Sequence, residues 1–389
     1  MIIRSLLIHN LRNHEHTEIE LSPGVNIFYG LNGAGKTSVL ESVSIAGLSK
    51  SFLPVPDAAL VRQNEENYLV SLRADTDHGV PYKVSLQYTP GAKKLISSTA
   101  GDNLNPKDII GELPLVILSP DFKNITFGSP ADRRQFLDSV LSQASKRYVE
   151  EAIQLKRILK QRNSLLNAAK IQRNMNKAVM DAWTDAFIKS ASEIVVRRSA
   201  FIEEFVPFFK TAYEDVAGTH EPVGIEYTPD SIDAELLKHD GEEVLKTELL
   251  KESVAKRFRE IAIQMWPEEL RRGTTLFGPQ KDDVRIEING GVAKEFASQG
   301  QHKSLLISIK FAEFEFLRNR KGENPVILLD DIFAELDTKR TEKVFSNVIV
   351  SAAQTLITTT DAERLQDILP REIPTAVFRV SGGIVFREA

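Results

Sequence analysis

Gly30-Leu31-Asn32-Gly33-Ala34-Gly35-Lys36-Thr37 fits the pattern G-x-x-x-x-G-K-[ST]. In such a stretch the glycines let the backbone wrap tightly, so that its N–H groups and the start of the following helix face a phosphate. Lys36 supplies countercharge to the β- and γ-phosphates, and the Thr37 hydroxyl supplies a ligand for Mg²⁺. The flanking sequence is what this chemistry needs. Val25-Asn26-Ile27-Phe28-Tyr29 reads as a strand running into the loop, and Val39, Leu40, Val43 and Ala46 space out a helix behind it. ATP with Mg²⁺ is the ligand to which these residues point.

A second apolar run, Val326-Ile327-Leu328-Leu329, ends in two adjacent carboxylates, Asp330 and Asp331. The run has no alternation, as expected of a parallel strand buried on both faces. Neighbouring side chains at a strand end diverge, so the two acids should do different work. Asp330 suits Mg²⁺ and Asp331 suits the water that attacks the γ-phosphate. Further along, Ser298-Gln299-Gly300-Gln301 opens a helix that carries Leu305, Ile309, Ala312 and Phe316 on one face. A helix start of this kind is either an anion site or an ordinary N-cap.

Outside these motifs the order is α/β, then a long helical block, then α/β again. Residues 68–73 and 82–88 read as strands, 132–207 as helices, 218–241 as loops rich in Gly, Pro and Asp, 243–265 as a helix and 284–288 as a strand. The simplest assembly is one α/β ATPase domain built from both chain ends, 1–120 and 274–389, with a mostly helical lobe inserted at 121–273.

The 389 residues carry a net charge of −5, 42% hydrophobic and 26% charged residues, and no cysteine. No run reaches the roughly 18 apolar residues of a membrane span, and Arg4 interrupts the N-terminal run where a signal peptide would be apolar. The absence of disulfides and of cysteine zinc sites fits a cytoplasmic protein. The acidic average hides an asymmetry: between Lys146 and Lys177 nine basic residues stand against Glu150 and Glu151. Charges act over only ~8–10 Å at ordinary salt, so a segregated basic face can still bind phosphates. Lys156 and Lys160 share one helical face and are the candidates for it. Arg157 and Arg162 could instead lock the helical block through ion pairs.

Taken together, the three motifs resemble the ATP-binding-cassette class of P-loop ATPases, in which Ser298-Gln299-Gly300-Gln301 takes the place of the signature motif. The resemblance implies an ATP-sandwiched homodimer in which these four residues complete the partner's site. It places Asp331 where a catalytic glutamate is usual and Asp337, in Ala334-Glu335-Leu336-Asp337, in the D-loop. Thr360 falls where many members carry a histidine, and Gln63 is a candidate for the Q-loop glutamine.

Other segments narrow the likeness. Asn10-Leu11-Arg12-Asn13 is similar to the N-terminal Phe-Arg-Asn element of the RecF family of bacterial DNA-repair ATPases, with Leu11 in place of the phenylalanine and Arg12 as a candidate site residue. So are Gly128 to Asp138, Tyr148 with Arg157 to Asn163, and Gly278-Pro279-Gln280-Lys281-Asp282-Asp283, in which Gln280 and Lys281 depart from the family pattern. Arg133, Arg134 and Asp138 could equally form ion pairs between lobes. The resemblance spans about residues 2–361. It implies a weak, DNA-stimulated ATPase that dimerises with ATP on duplex DNA beside single-stranded gaps. It also implies RecO- and RecR-like mediators as partners in recombinase loading, gap repair and the SOS response. The alternative is a nucleotide-gated DNA clamp or scaffold in which turnover only resets binding.

Overall fold

Ile3, Leu6 and Ile8 are all buried, although the first two lie three positions apart, an odd step for one face of a strand. A β-bulge resolves the mismatch. Arg4 is the extra residue between Ile3, opposite Ala74, and Ser5, opposite Arg73, so the alternation of faces restarts after it. The computed structural model describes residues 1–172, 176–218, 220–237, 243–334, 341–343 and 354–388. The chain opens with β1 (Ile2–Leu11), β2 (His14–Glu20) and β3 (Val25–Tyr29), then the glycine loop and α1 (Lys36–Leu48). β4 (Tyr68–Asp75), β5 (Pro81–Tyr88) and β6 (Leu95–Ser98) follow and form, with the first two strands, an antiparallel sheet ordered β2-β1-β4-β5-β6.

The second sheet draws on both chain ends. β7 (Leu115–Leu118), β11 (Val326–Asp330), β12 (Thr355–Thr359), β13 (Thr375–Ser381) and β14 (Ile384–Arg387) join β3 in the order β14-β13-β3-β12-β11-β7. All its pairings are parallel except β13 with β14. β7, β11 and β12 are buried at every position, which is why their sequences lack alternation. Helix α1 packs against β1, β4 and β5 of the first sheet and β11 and β12 of the second. It is buried on nearly all sides, so its sequence shows little amphipathic contrast. Val39, Leu40 and Val43 from α1 share one core with Leu6, Leu72, Leu328 and Leu356.

These elements belong to a first compact unit, Met1–Lys123, Phe208–His220 and Ser298–Ala389; Asn124–Pro207 and Glu221–Ala297 form a second. The sequence-based division put residues 274–297 with the ATPase domain and 208–220 with the helical lobe, whereas the contacts group them the other way. The second unit contains α2 (Pro130–Ala144), α3 (Lys146–Gln172), most of α4 (Lys177–Ala217) and α5 (Glu243–Arg272). It also holds an antiparallel sheet of β8 (Val223–Thr228), β9 (Asp283–Ile288) and β10 (Gly291–Val292). β8 corrects the expectation of loops over 218–241.

The ion pairs weighed between lobes have both partners inside the second unit, although the sequence-based division had put Asp283 with the ATPase domain. Arg133 binds Asp283 through two nitrogens at 2.7 Å, and Arg198 binds Asp138 at 2.8 Å. Arg162 is fully buried on α3, with Glu269 of α5 at 2.6 Å and Thr275 at 2.8 Å. Its guanidinium lies over the rings of Phe187 and Phe277.

Candidate nucleotide-binding site

The glycine loop leaves β3 and ends at Gly35, whose φ of 109° is left-handed and which starts α1 without a side-chain cap. A Cβ on Gly35 would lie 2.8 Å from His14 Nε2 and 2.7 Å from Asn13 Oδ1, so no larger residue fits between α1 and the β1–β2 corner. The loop is strapped from behind. Asn13 Nδ2 donates to the carbonyls of Gly33 at 3.3 Å and Ala34 at 3.0 Å. His14 Nε2 lies 2.9 Å from Gly35 O, and the Gly383 N–H, at the β13–β14 turn, donates to Ala34 O at 2.9 Å. Lys36 Nζ donates to Gly30 O at 2.8 Å and Leu31 O at 3.0 Å. Burial lowers its pKa, and Asp331 and Asp330 act in the opposite direction. Asn32 is exposed, and Leu31 is 83% exposed at the loop's tip.

Thr37, at the start of α1, donates its hydroxyl to Asp330 Oδ1 at 2.9 Å. Parallel pairing of β11 with β12 sets Asp330 opposite Thr358. The Thr358 hydroxyl donates to the same Asp330 oxygen at 2.7 Å and accepts from the Asp331 N–H at 3.0 Å. One hydroxyl thus fixes both acids. Asp330 is buried, and this burial raises its pKa against the lowering effect of the two hydroxyl donors. Asp331 turns out of the strand with φ 49°, a left-handed conformation that Asp tolerates better than most residues. Its side chain is more exposed than that of Asp330. The divergence expected of the two acids is therefore built by the backbone. A Thr hydroxyl in contact with an Asp carboxylate is an all-oxygen donor pair that fits Mg²⁺, a cation that takes few protein ligands and shares phosphate oxygens.

The other candidates scatter. Ser298 caps α6 (Gln299–Lys321): its side chain accepts from Gln301 N at 3.2 Å, and Gln301 Oε1 accepts from Ser298 N at 2.8 Å. The segment is a capping box, with Ser298 and Gln299 exposed and Gly300 and Gln301 partly so. Arg12 is committed to the buried Glu41 on α1, at 3.0 and 3.1 Å, and its backbone adopts a φ of 57°. Gln63 is exposed in a turn. Thr360 is exposed one residue beyond the Thr359–Tyr29 pair, level with Gly30. Asp337 lies outside the described residues. On α3, Lys156, Arg157 and Lys160 are exposed and make no ion pair among the described residues, whereas Arg162 is structural. No helix among the described residues is long and apolar enough to cross a membrane.

Asn13, His14, Glu41, Thr358 and Gly383 were missed by the sequence reading. Each reaches the site from a strand, turn or helix position fixed only by tertiary pairing.

Against known proteins, an AAA domain family model matches residues 5–189. The chain is 32% identical over 363 residues to the DNA replication and repair protein RecF of Chlorobium luteolum, covering 93% of this chain and 94% of that one. For the same protein of Prosthecochloris aestuarii the identity is 35%, with the same two coverages. The Geobacillus thermodenitrificans protein is 30% identical and covers 99% of both chains. Among solved structures, that of the recombination mediator protein RecF with ATPrS in the RecFOR pathway superposes with a TM-score of 0.87 at 25% identity, covering 100% of this chain and 98% of that one. A structural-maintenance-of-chromosomes head domain bound to a winged-helix domain shares the fold, with a TM-score of 0.54 at 13% identity over 100% of this chain and 97% of that one.

Proposed function

This chain belongs to the RecF family of DNA replication and repair proteins, and on that premise we propose that it binds Mg²⁺·ATP at Gly30–Thr37 and closes into an ATP-dependent homodimer on DNA. The observation that carries the reading is the Thr37–Asp330–Thr358 hydroxyl–carboxylate cluster directly behind a loop whose carbonyls are tied back. Loop amides and the uncapped start of α1 receive phosphate oxygens, and Lys36 exchanges the Gly30 and Leu31 carbonyls for them. Thr37 and Asp330 hold Mg²⁺, which offsets phosphate charge when bound. Asp331 orients the attacking water and takes its proton as the water oxygen bonds to the γ-phosphorus, while the bond from that phosphorus to the β–γ bridging oxygen breaks and ADP leaves with the electron pair.

In this reading Ser298 and Gly300 act on the ATP of a second copy; the exposed start of α6 supports that role. Duplex DNA beside single-stranded gaps is the proposed substrate, with Lys156 and Lys160 contacting phosphates. Cytoplasmic RecO- and RecR-like mediators are the proposed partners, as the pathway named for the solved relative suggests. Hydrolysis is slow and stimulated by DNA.

The test is mass in solution with ATP, ADP or no nucleotide, each with and without a gapped duplex. ATP should double the mass and tighten DNA binding, and Lys36→Ala should abolish both. Ser298→Arg should bind ATP but remain monomeric. A protein that neither binds ATP in calorimetry nor changes mass would overturn the proposal.

A further inference from the structure

A trans peptide holds its C=O and the next residue's N–H in opposite directions, and the described chain has no cis peptide bond. Whatever grips the loop's carbonyls therefore aims its amides. Ala34 O is held by Asn13 and Gly383, which turns the Gly35 N–H away from them. Gly35 O, the N-cap carbonyl that also receives the first bond of α1, is gripped on the loop's side by the imidazole of His14, and the Lys36 N–H turns to the side where α1 begins.

His14 is fully buried. A carbonyl oxygen can only accept, so Nε2 must carry a proton. In the neutral ring, Nδ1 then accepts from the Thr17 hydroxyl at 3.0 Å. In the protonated ring, Nδ1 donates to Thr17, whose hydroxyl passes its own hydrogen to Gly383 O at 3.2 Å. The bond to Gly35 survives both states.

The groups that face the ring are neutral: the Gly35 and Gly383 backbone and the Thr17 hydroxyl. The nearby charges are engaged elsewhere, Lys36 on the loop carbonyls, Arg12 on Glu41 and Glu15 on Arg62. His16, farther along β2, is exposed and lies against His9. Burial keeps the ring's pKa below its ordinary value, opposed by the nearby Gly35 and Gly383 backbone.

We infer that His14 is a positioning residue for the nucleotide's phosphates, fixing the Gly35 carbonyl so that the Lys36 amide is presented to them. The inference rests on the ATP-binding reading of this loop. It carries a consequence that a purely structural histidine lacks. Phosphate charge arriving across one peptide from the imidazole favours its protonated form, so bound Mg²⁺·ATP should move His14's titration upward.

Three measurements test this: histidine NMR titration of the full-length protein with and without Mg²⁺·ATP, ATP affinity by calorimetry, and hydrogen exchange at residues 35–37. His14→Phe fills the space without a donor and should weaken ATP about tenfold, the order expected for one lost hydrogen bond to a part-buried carbonyl. It should also speed exchange at residues 35–37. His14→Gln restores a donor and should bring affinity back to within about twofold of wild type, the residue of one such bond regained. If His14→Phe does not fold, the wild-type imidazole titration and His14→Gln decide the matter. An imidazole pKa unmoved by ATP, or a folded His14→Phe protein with wild-type affinity and exchange, overturns the inference. Failure of the ATP reading itself looks different, because the wild-type protein would then bind no ATP.

Discussion

Replacing Thr358 with valine keeps the shape of the side chain and removes only its hydroxyl. Two hydrogen bonds disappear, the 2.7 Å bond to Asp330 and the 3.0 Å bond from the Asp331 N–H. A hydrogen bond to a charged acceptor contributes about 1.5–3 kcal/mol. Asp330 is buried and, among the described residues, keeps Thr37 as its remaining side-chain donor, so the upper half of that range applies. The Asp331 N–H lies at a partly exposed residue where water can replace Thr358, so its loss adds about 0.5–1 kcal/mol. The expected destabilisation is therefore about 3 kcal/mol, read from urea denaturation without nucleotide. Thr358→Ser should retain most of the wild-type stability, because the hydroxyl remains. Freed from its anchor, the Asp331 backbone no longer sets the carboxylate, and ATP turnover at saturating nucleotide should fall by about one to two orders of magnitude, a part of what a positioned base contributes. Wild-type denaturation and turnover in Thr358→Val would refute the idea that one hydroxyl organises both acids.

Asp331→Asn should bind ATP and dimerise while hydrolysing at least about a hundredfold more slowly; Asn also accepts a left-handed φ, so near-normal turnover would move the catalytic base elsewhere. Arg162→Ala leaves Glu269 buried without its partner and should cost about 3–5 kcal/mol of stability. The paired change Arg162→Met with Glu269→Leu should recover much of that loss, and denaturation midpoints that order the two the other way would sink the assignment. Lys156→Glu with Lys160→Glu should lower the slope of log affinity against log salt by about 1.8 on duplex DNA, about 0.9 for each phosphate that is no longer neutralised. An unchanged slope in a protein of wild-type melting temperature would place the DNA track elsewhere.

The glycine loop and the paired aspartates were legible because their chemistry is local, with each group's spacing fixed along one strand, turn and helix. Thr358 was not. It is the first of three consecutive threonines, and only the register of β12 on β11 singles it out as the one facing Asp330. Arg162 was half legible. The basic run suggested a solvated face, but Leu155, Ile158, Arg162, Leu166 and Ala169 recur at helical spacing and are all buried. β8 was hidden by the glycines, prolines and aspartates around it, although Val223, Ile225 and Tyr227 alternate as a strand should. The C-terminal tail added little to the family resemblance, yet its β13 pairs with β3 and its Gly383 touches the loop.

That pairing sets a timetable for synthesis. β3 is finished by residue 29, but its two neighbours, Thr355–Thr359 and Thr375–Ser381, are among the last segments made. At about 5–20 residues per second, the nascent strand waits on the order of tens of seconds with both edges unsatisfied. A chain that stalls before residue 375 lacks one flanking strand and the Gly383 strap. Such a fragment has the whole glycine loop in its sequence but only the Asn13 and His14 straps to hold it. The loop gains its last strap only when the protein is nearly complete, so a stalled fragment should hold nucleotide more weakly than the finished molecule.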